Sequence, residues 1–290
     1  MKLIRLTGIL GVLVLAACDA GIEPIDQQLR TPDTWNPAEW AAYAEGLRAY
    51  KAGDHYVTYA CFDNAPERIE SEKNCLRSLP DSLDAVLLRN PLSAFDREDL
   101  PELRKRYTKV LATAECSDPA TALQRLDATL QEVASSDLDG VVIRYSGAVT
   151  DAASAVEAEV ARRLGALTDK MLVFEGNASF IAAENRGLYD LYLLDATSAG
   201  DIFTVENAVD YLTGYYGIEA GRVLPLVSLT GTLADERGAA QPAPDKVSET
   251  VRRYSLAGMA FEGVSADYYS LTGNYSRLRA AIDLLNPAHQ

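Results

Sequence analysis

The chain has 290 residues, 48% of them hydrophobic, with 27 Lys and Arg against 42 Asp and Glu and a formal net charge of −15. That length and apolar share suffice for one large core or two modest ones and exclude a largely disordered chain. The acidity excludes a nucleic-acid partner and a polybasic patch for anionic headgroups, since both ligands are themselves negative.

Lys2 and Arg5 open the chain, and an apolar run from Leu6 follows, ending in Leu15-Ala16-Ala17-Cys18. About twelve apolar residues are too few to span a bilayer, which needs roughly twenty. The pattern predicts a secretory signal over residues 1–17. The Leu-Ala-Ala-Cys run resembles the lipobox of bacterial lipoproteins. That resemblance implies palmitate-type acylation and lipid attachment at Cys18, and two or more acyl chains make a permanent membrane tether. Asp19 resembles an inner-membrane retention signal, so the expected location is the periplasmic face of a bacterial membrane, inner or outer left open. Loss of Lys2 and Arg5 takes the formal charge from −15 to −17. Residues 18–35, polar and Pro-containing, read as a flexible tether to a single α-helical globular domain over residues 36–290.

Helical periodicity dominates that body. Asn36-Pro37-Ala38-Glu39 combines a capping residue, Pro at the first helical position and Glu at the third. It predicts a helix carrying Trp40, Tyr43, Leu47 and Tyr50 up to Gly53. Further stripes at i, i+3, i+4 spacing are Leu100–Leu103–Tyr107–Val110–Leu111, Leu123–Leu126–Leu130–Val133, Val156–Val160–Leu164–Leu167 and Tyr275–Leu278–Ile282–Leu285. Strand-like segments are few: Gly140 to Tyr145, and Arg222 to Leu229, which Pro225 demotes to an edge. Leu188 to Leu194 is ambiguous, and Asp235 to Asp245 reads as a surface loop. The expected fold class is mainly α, a helical bundle or irregular helical array with short extended pieces.

Beyond Cys18 the cysteines are Cys61, Cys75 and Cys116. An oxidising compartment favours one bridge and one leftover thiol. Cys61–Cys75 closes the shortest loop and is the favoured pair, with Cys61–Cys116 and Cys75–Cys116 as alternatives. No Cys-x-x-Cys and no histidine at ligand spacing points to a metal, and no nucleotide loop points to a cofactor, so neither is expected.

Histidine is confined to His55 and His289, and no Gly-x-Ser-x-Gly elbow occurs, which disfavours nucleophilic triads. Carboxylates remain. Met171 to Gly187 places Glu175 and Glu184 inside an apolar run. Read as one helix, it points the two glutamates to opposite sides, so they form a packing network or, singly, a general acid with Glu184 ahead of Glu175. Fifteen Tyr against 6 Phe is the other oddity. Tyr189, Tyr192, Tyr211, Tyr215 and Tyr216 suit a binding surface, because tyrosine buries a ring and keeps a wet hydroxyl. The leading expectation is a lipid-anchored helical subunit of a cell-envelope complex, with envelope proteins or peptidoglycan as partners. The alternative is a cell-wall glycan hydrolase using a buried glutamate as general acid.

Overall fold

Eight short runs, rich in Val, Leu and Ala, form the strands of a closed parallel barrel in the computed structural model, which describes residues 36–66 and 71–287. The strands are β1 (Val57–Phe62), β2 (Ala85–Leu88), β3 (Lys109–Glu115), β4 (Gly140–Tyr145), β5 (Met171–Gly176), β6 (Leu191–Asp195), β7 (Val223–Ser228) and β10 (Gly258–Glu262). A small antiparallel hairpin, β8 (Thr232–Ala234) with β9 (Ala240–Pro242), interrupts the connection after β7. The barrel order is β1-β10-β7-β6-β5-β4-β3-β2. The mainly helical expectation is therefore corrected: this is a (β/α)8 barrel. Its strands are buried on both faces, so they read as continuous apolar runs without the period of two that would have flagged them.

Helices α2 (Ala94–Lys105), α3 (Ala122–Ser135), α4 (Asp151–Leu164), α5 (Ile202–Asp210), α6 (Ala243–Tyr254) and α7 (Ser276–Leu285) follow β2, β3, β4, β6, β9 and β10. Helix α1 (Pro37–Ala52) precedes β1. The chain divides into two compact units, Met1–Trp40 and Ala41–Gln290, and the second contains the whole barrel. In the first, the Asn36 side chain accepts from the Ala38 N–H at 2.9 Å, the helix cap its position suggests. The stripe from Leu100 to Leu111 runs out of α2 into β3. The segment Met171 to Gly187 is β5 followed by 3-10 turns, not one helix. Pro225 pairs with Leu194 inside the closed sheet, which has no edge. The loop read from Asp235 is the turn of the hairpin, followed by β9 and the start of α6.

One core lies between sheet and helices; a second fills the barrel with Tyr59, Cys61, Ala85, Leu87, Leu111, Val142, Val173, Leu191, Leu193, Leu224, Leu226 and Ala260. The seam between the first and last barrel strands closes through a tight backbone approach. Gly258 pairs with Val57 across the β1–β10 seam at φ +158°, and a Cβ there would sit 1.9 Å from the Val57 carbonyl oxygen. Only glycine fits. Between β5 and β6 the connection forms 3-10 turns and no α-helix, and Phe174, Phe180, Tyr189 and Tyr192 cover the sheet instead. Phe174 lies 5.5 Å from Tyr189 and 6.1 Å from Tyr192, and Tyr145 stacks on Phe180 at 4.0 Å.

The expected disulfide is also corrected: Cys61, Cys75 and Cys116 are all free. Cys61 points into the barrel and Cys116 into the helix layer, on opposite faces of the sheet. Burial pushes the Cys61 thiol up and the Cys116 thiol up to about 12, so neither is a ready nucleophile. No helix among the described residues is long and apolar enough to cross a membrane. Cys18, the signal, the tether and His289 lie outside the described residues.

At the N-terminal end of the barrel, His55 Nδ1 faces the Gly53 carbonyl at 2.9 Å and Nε2 faces Asp84 Oδ1 at 2.9 Å. An acceptor on each side calls for a proton on each nitrogen. The Asp84 hydrogen bond accordingly raises the His55 pKa above its usual 6.5. Stability from this pair is fully present below that value and is lost as pH rises through the folded pKa. Lys51, which donates to Leu83 O, Arg106 O and Thr108 Oγ1, is pushed by burial down to about 8. Its effect has the opposite sign, stability rising with pH between about 8 and its usual 10.5. Melting temperature is expected to fall from pH 6.5 to pH 8, and His55→Gln to flatten that slope; an unchanged slope in the variant would remove His55 as its source.

Candidate functional site

In barrels of this kind the chemistry sits where the strands end, on the C-terminal face. Side chains alternate along each strand, so the interior series can be followed upward from the apolar core. It ends in charge: Leu87 leads to Arg89, Leu111 through Thr113 to Glu115, Val142 to Arg144, Val173 to Glu175 and Ala260 to Glu262. Glu115, Arg144 and Glu175 are direct neighbours in register across β3, β4 and β5.

These groups are tied together. Arg89 crosses the mouth and donates from Nη1 to Glu175 Oε2 at 2.6 Å. Arg144 Nε reaches the other oxygen of Glu175 at 3.1 Å, and its Nη1 lies 3.6 Å from Glu115 Oε2. Glu115 also accepts from the Ser117 backbone at 3.0 Å and from the Ser117 hydroxyl. Arg89 and Glu175 are buried, with side chains 9% and 4% exposed, whereas Arg144 and Glu262 are half-exposed. Arg89 Nη2 is 3.7 Å from Glu262 Oε1, beyond hydrogen-bond reach, and has no hydrogen-bond partner among the described residues. The Thr113 hydroxyl is buried without a partner as well. A cavity of about 480 Å³ beside them is lined by residues of the β2 and β3 ends and of α3, Arg89 and Thr113 among them. A buried polar atom left without a protein partner is a place for water or ligand.

The loops hold this mouth rigidly. Asn64, after β1, donates to Asn90 O at 2.9 Å and to Asp96 Oδ2 at 3.1 Å, and accepts from the Asn90 N–H. That network clamps the β2 loop from which Arg89 projects. Around the polar mouth runs an apolar rim: Phe95, Val149, Phe203, Tyr269 and Leu271, all exposed, stand on segments that follow β2, β4, β6 and β10. A larger cavity, about 1120 Å³, opens at the opposite end of the barrel. There Lys51, His55 and Asp84 are already engaged in the bonds described above, so the C-terminal mouth is the stronger candidate.

Glu175 is the one sequence-derived acid that reaches the mouth. Glu184 lies in an exposed 3-10 turn, Ala183–Leu188, on the far side of β5. Tyr189, Tyr192 and Tyr216 are buried. Tyr211 and Tyr215 are exposed and stacked at 4.9 Å, but they close the helix that descends from β6, away from the mouth. Arg89, Glu115, Arg144 and Glu262 escaped the sequence reading. Their signal was a charged residue ending each of several apolar runs.

The profile of glycoside hydrolase family 18, BT1044-like, matches residues 22–116. That span includes Arg89 and Glu115 but not β4, β5 or β10. No curated protein matches the chain. Among solved structures, a glutamate-to-glutamine variant of BT1044 is 18% identical with a TM-score of 0.67, covering 89% of this chain and 95% of its own. An endo-β-N-acetylglucosaminidase from Cordyceps militaris is 19% identical with a TM-score of 0.60, over 85% and 96%. A chitinase-like agglutinin from Robinia pseudoacacia is 9% identical with a TM-score of 0.54, over 78% and 99%. At these identities the likeness establishes the fold. The barrel and the glycoside hydrolase profile overturn the expected role as a helical assembly subunit and favour the glycan hydrolase alternative. The chain is a closed (β/α)8 barrel whose residues 22–116 match the family-18, BT1044-like profile.

Proposed function

We propose that the C-terminal mouth takes a β-linked N-acetylglucosaminyl glycan chain. The observation that carries this reading is Arg89 Nη2, a buried guanidinium donor without a hydrogen-bond partner at a mouth of alternating charge. An acetamido carbonyl is the acceptor it lacks, and charge-assisted bonds to ring hydroxyls would come from Arg144, Glu115 and Glu262. Support comes from the similar structures: one is an endo-β-N-acetylglucosaminidase, and two Cycas revoluta chitinase structures hold (GlcNAc)4 and (GlcNAc)3. Acylation at Cys18 would place the mouth at the periplasmic face of a membrane, within reach of peptidoglycan glycan strands.

In the arrangement described, the mouth holds a glycan without cleaving it. A glycosidase needs a carboxylic acid with a proton to give to the leaving oxygen. Glu175 Oε2 accepts from Arg89 Nη1 at 2.6 Å, and Oε1 is ion-paired with Arg144 Nε at 3.1 Å, so a permanently charged guanidinium faces each oxygen. A second reading, cleavage with Glu175 as the acid, is favoured by its burial at the mouth and by the glycoside hydrolase profile. It requires both arginines to swing away when substrate enters.

One incubation separates the two. The full chain is mixed with N-acetylglucosamine tetrasaccharide and with peptidoglycan, and both binding and new reducing ends are measured. Saturable binding with no new reducing ends supports the holding site. Turnover that disappears in Glu175→Gln establishes the hydrolase, and neither binding nor turnover defeats the glycan reading.

A further inference from the structure

We infer that the cavity at the N-terminal end of the barrel is a separate site, which takes a small apolar carboxylate with its acid group on Lys109 and Tyr59. This goes beyond the glycan reading of the mouth and does not depend on it. The cavity, about 1120 Å³, is large enough for a ligand of several rings. It is framed by the starts of the strands, the end of α1 and the end of α7. Followed downward, the interior series that ends in charge at the C-terminal mouth ends here in Val57, Met171 and Leu191. Lys109 joins them, two residues below Leu111 on the same face of β3.

Several polar groups of the lining are already committed. Lys51 gives its three protons to Leu83 O, Arg106 O and Thr108 Oγ1. Asp84 meets His55 on one oxygen and accepts from Thr58 on the other. Asp190 accepts from the Leu172 N–H at 2.8 Å, and Asp54 is exposed to solvent. Two donors facing the barrel axis are left. The Lys109 ammonium is exposed and joins no hydrogen bond or ion pair among the described residues. The Tyr59 hydroxyl, on a buried ring, meets only the Met171 sulfur at 3.3 Å, a weak acceptor. Tyr59 and Lys109 stand in one layer, in register on either side of Ala85 across β1, β2 and β3. A carboxylate supplies two acceptor oxygens, and as a charged acceptor it makes the stronger bond to each donor.

The rest of the lining calls for an apolar body. Val57, Met171 and Leu191 come from the strands, and Leu285 and Pro287 from the end of α7 and the chain just beyond it. Tyr107, also at the lining, holds a left-handed backbone at φ +56°, which glycine or asparagine adopts at lower cost. Its ring is 44% exposed. Strain kept beside a cavity marks a side chain placed for contact.

Calorimetry on the full chain compares naphthoate with naphthalene-methanol, an uncharged analogue of nearly the same shape. The wild type is expected to bind the carboxylate roughly fivefold more tightly, about 1 kcal/mol. Lys109→Met is expected to erase that preference and to leave the affinity for the alcohol unchanged. Tyr59→Phe keeps the ring and is expected to weaken the carboxylate roughly threefold. Lys109 is exposed, so the melting temperature of its variant should stay near wild type. Equal affinity of the wild type for the two compounds would overturn the carboxylate. A preference that survives in Lys109→Met, or carboxylate binding untouched by Tyr59→Phe, would overturn the two-donor site. Failure to bind either compound would overturn the whole inference, whatever a glycan does at the mouth.

Discussion

Glu175→Gln is expected to lower stability by about 3–5 kcal/mol, because it strips the counter-ion from a buried guanidinium. For a barrel of this size that corresponds to a fall in melting temperature on the order of 10 °C. Arg89 bears most of the loss. Its Nη1 bonds Glu175 at 2.6 Å and its side chain is only 9% exposed, so little water reaches the orphaned charge. Arg144 is half-exposed and keeps Glu115 3.6 Å away. The contrast is Glu184→Gln, in an exposed turn, expected to change stability by no more than about 0.5 kcal/mol. Replacing both members of the buried pair, Arg89→Met with Glu175→Leu, should recover much of the single-variant loss, since two matched apolar groups remove both desolvation penalties. Thermal denaturation of the four proteins measures this directly. A Glu175→Gln variant as stable as wild type would mean that the strap across the mouth is not closed in solution.

The second large effect lies in the aromatic cluster between β5 and β6. Phe174→Ala is expected to cost about 3–5 kcal/mol, because no helix covers that stretch of sheet and the rings of Tyr189 and Tyr192 rest on Phe174. Tyr215→Ala, removing a ring that is 70% exposed, is expected to stay within about 0.5 kcal/mol. Denaturant titration of both variants distinguishes the roles. A loss at Tyr215 as large as that at Phe174 would mean that the exposed tyrosine pair is covered in solution.

That contrast also explains what the sequence made legible. Tyr189, Tyr192, Tyr211, Tyr215 and Tyr216 look alike in a one-dimensional reading, and nothing local says that two of them, Tyr189 and Tyr192, replace a missing helix. Helix periodicity survives translation into the fold: Leu123, Leu126, Leu130 and Val133 do lie on α3, and Leu278, Ile282 and Leu285 on α7. Gly140 to Tyr145 was legible as a strand. Arg222 to Leu229 was legible too, though misplaced at an edge, whereas most other strands were hidden because a barrel strand is apolar on both sides, and four residues such as Ala85 to Leu88 carry no measurable period. Without the strands, no face of the molecule could be assigned, and Arg89, Arg144 and Glu262 had no reason to be grouped. Glu175 was noticed as a carboxylate in an apolar run. What it faces depends on residues 86 positions before it and 31 before it in sequence, and only closure of the sheet brings them together.

A crystal structure of the full chain with N-acetylglucosamine tetrasaccharide bound tests glycan binding at the barrel mouth most directly. The sugar is expected at the C-terminal mouth, with an acetamido carbonyl on Arg89 Nη2 and the chain unbroken. Tetrasaccharide seated in the cavity at the N-terminal end of the barrel, or on the Tyr211–Tyr215 face with an empty mouth, would contradict it.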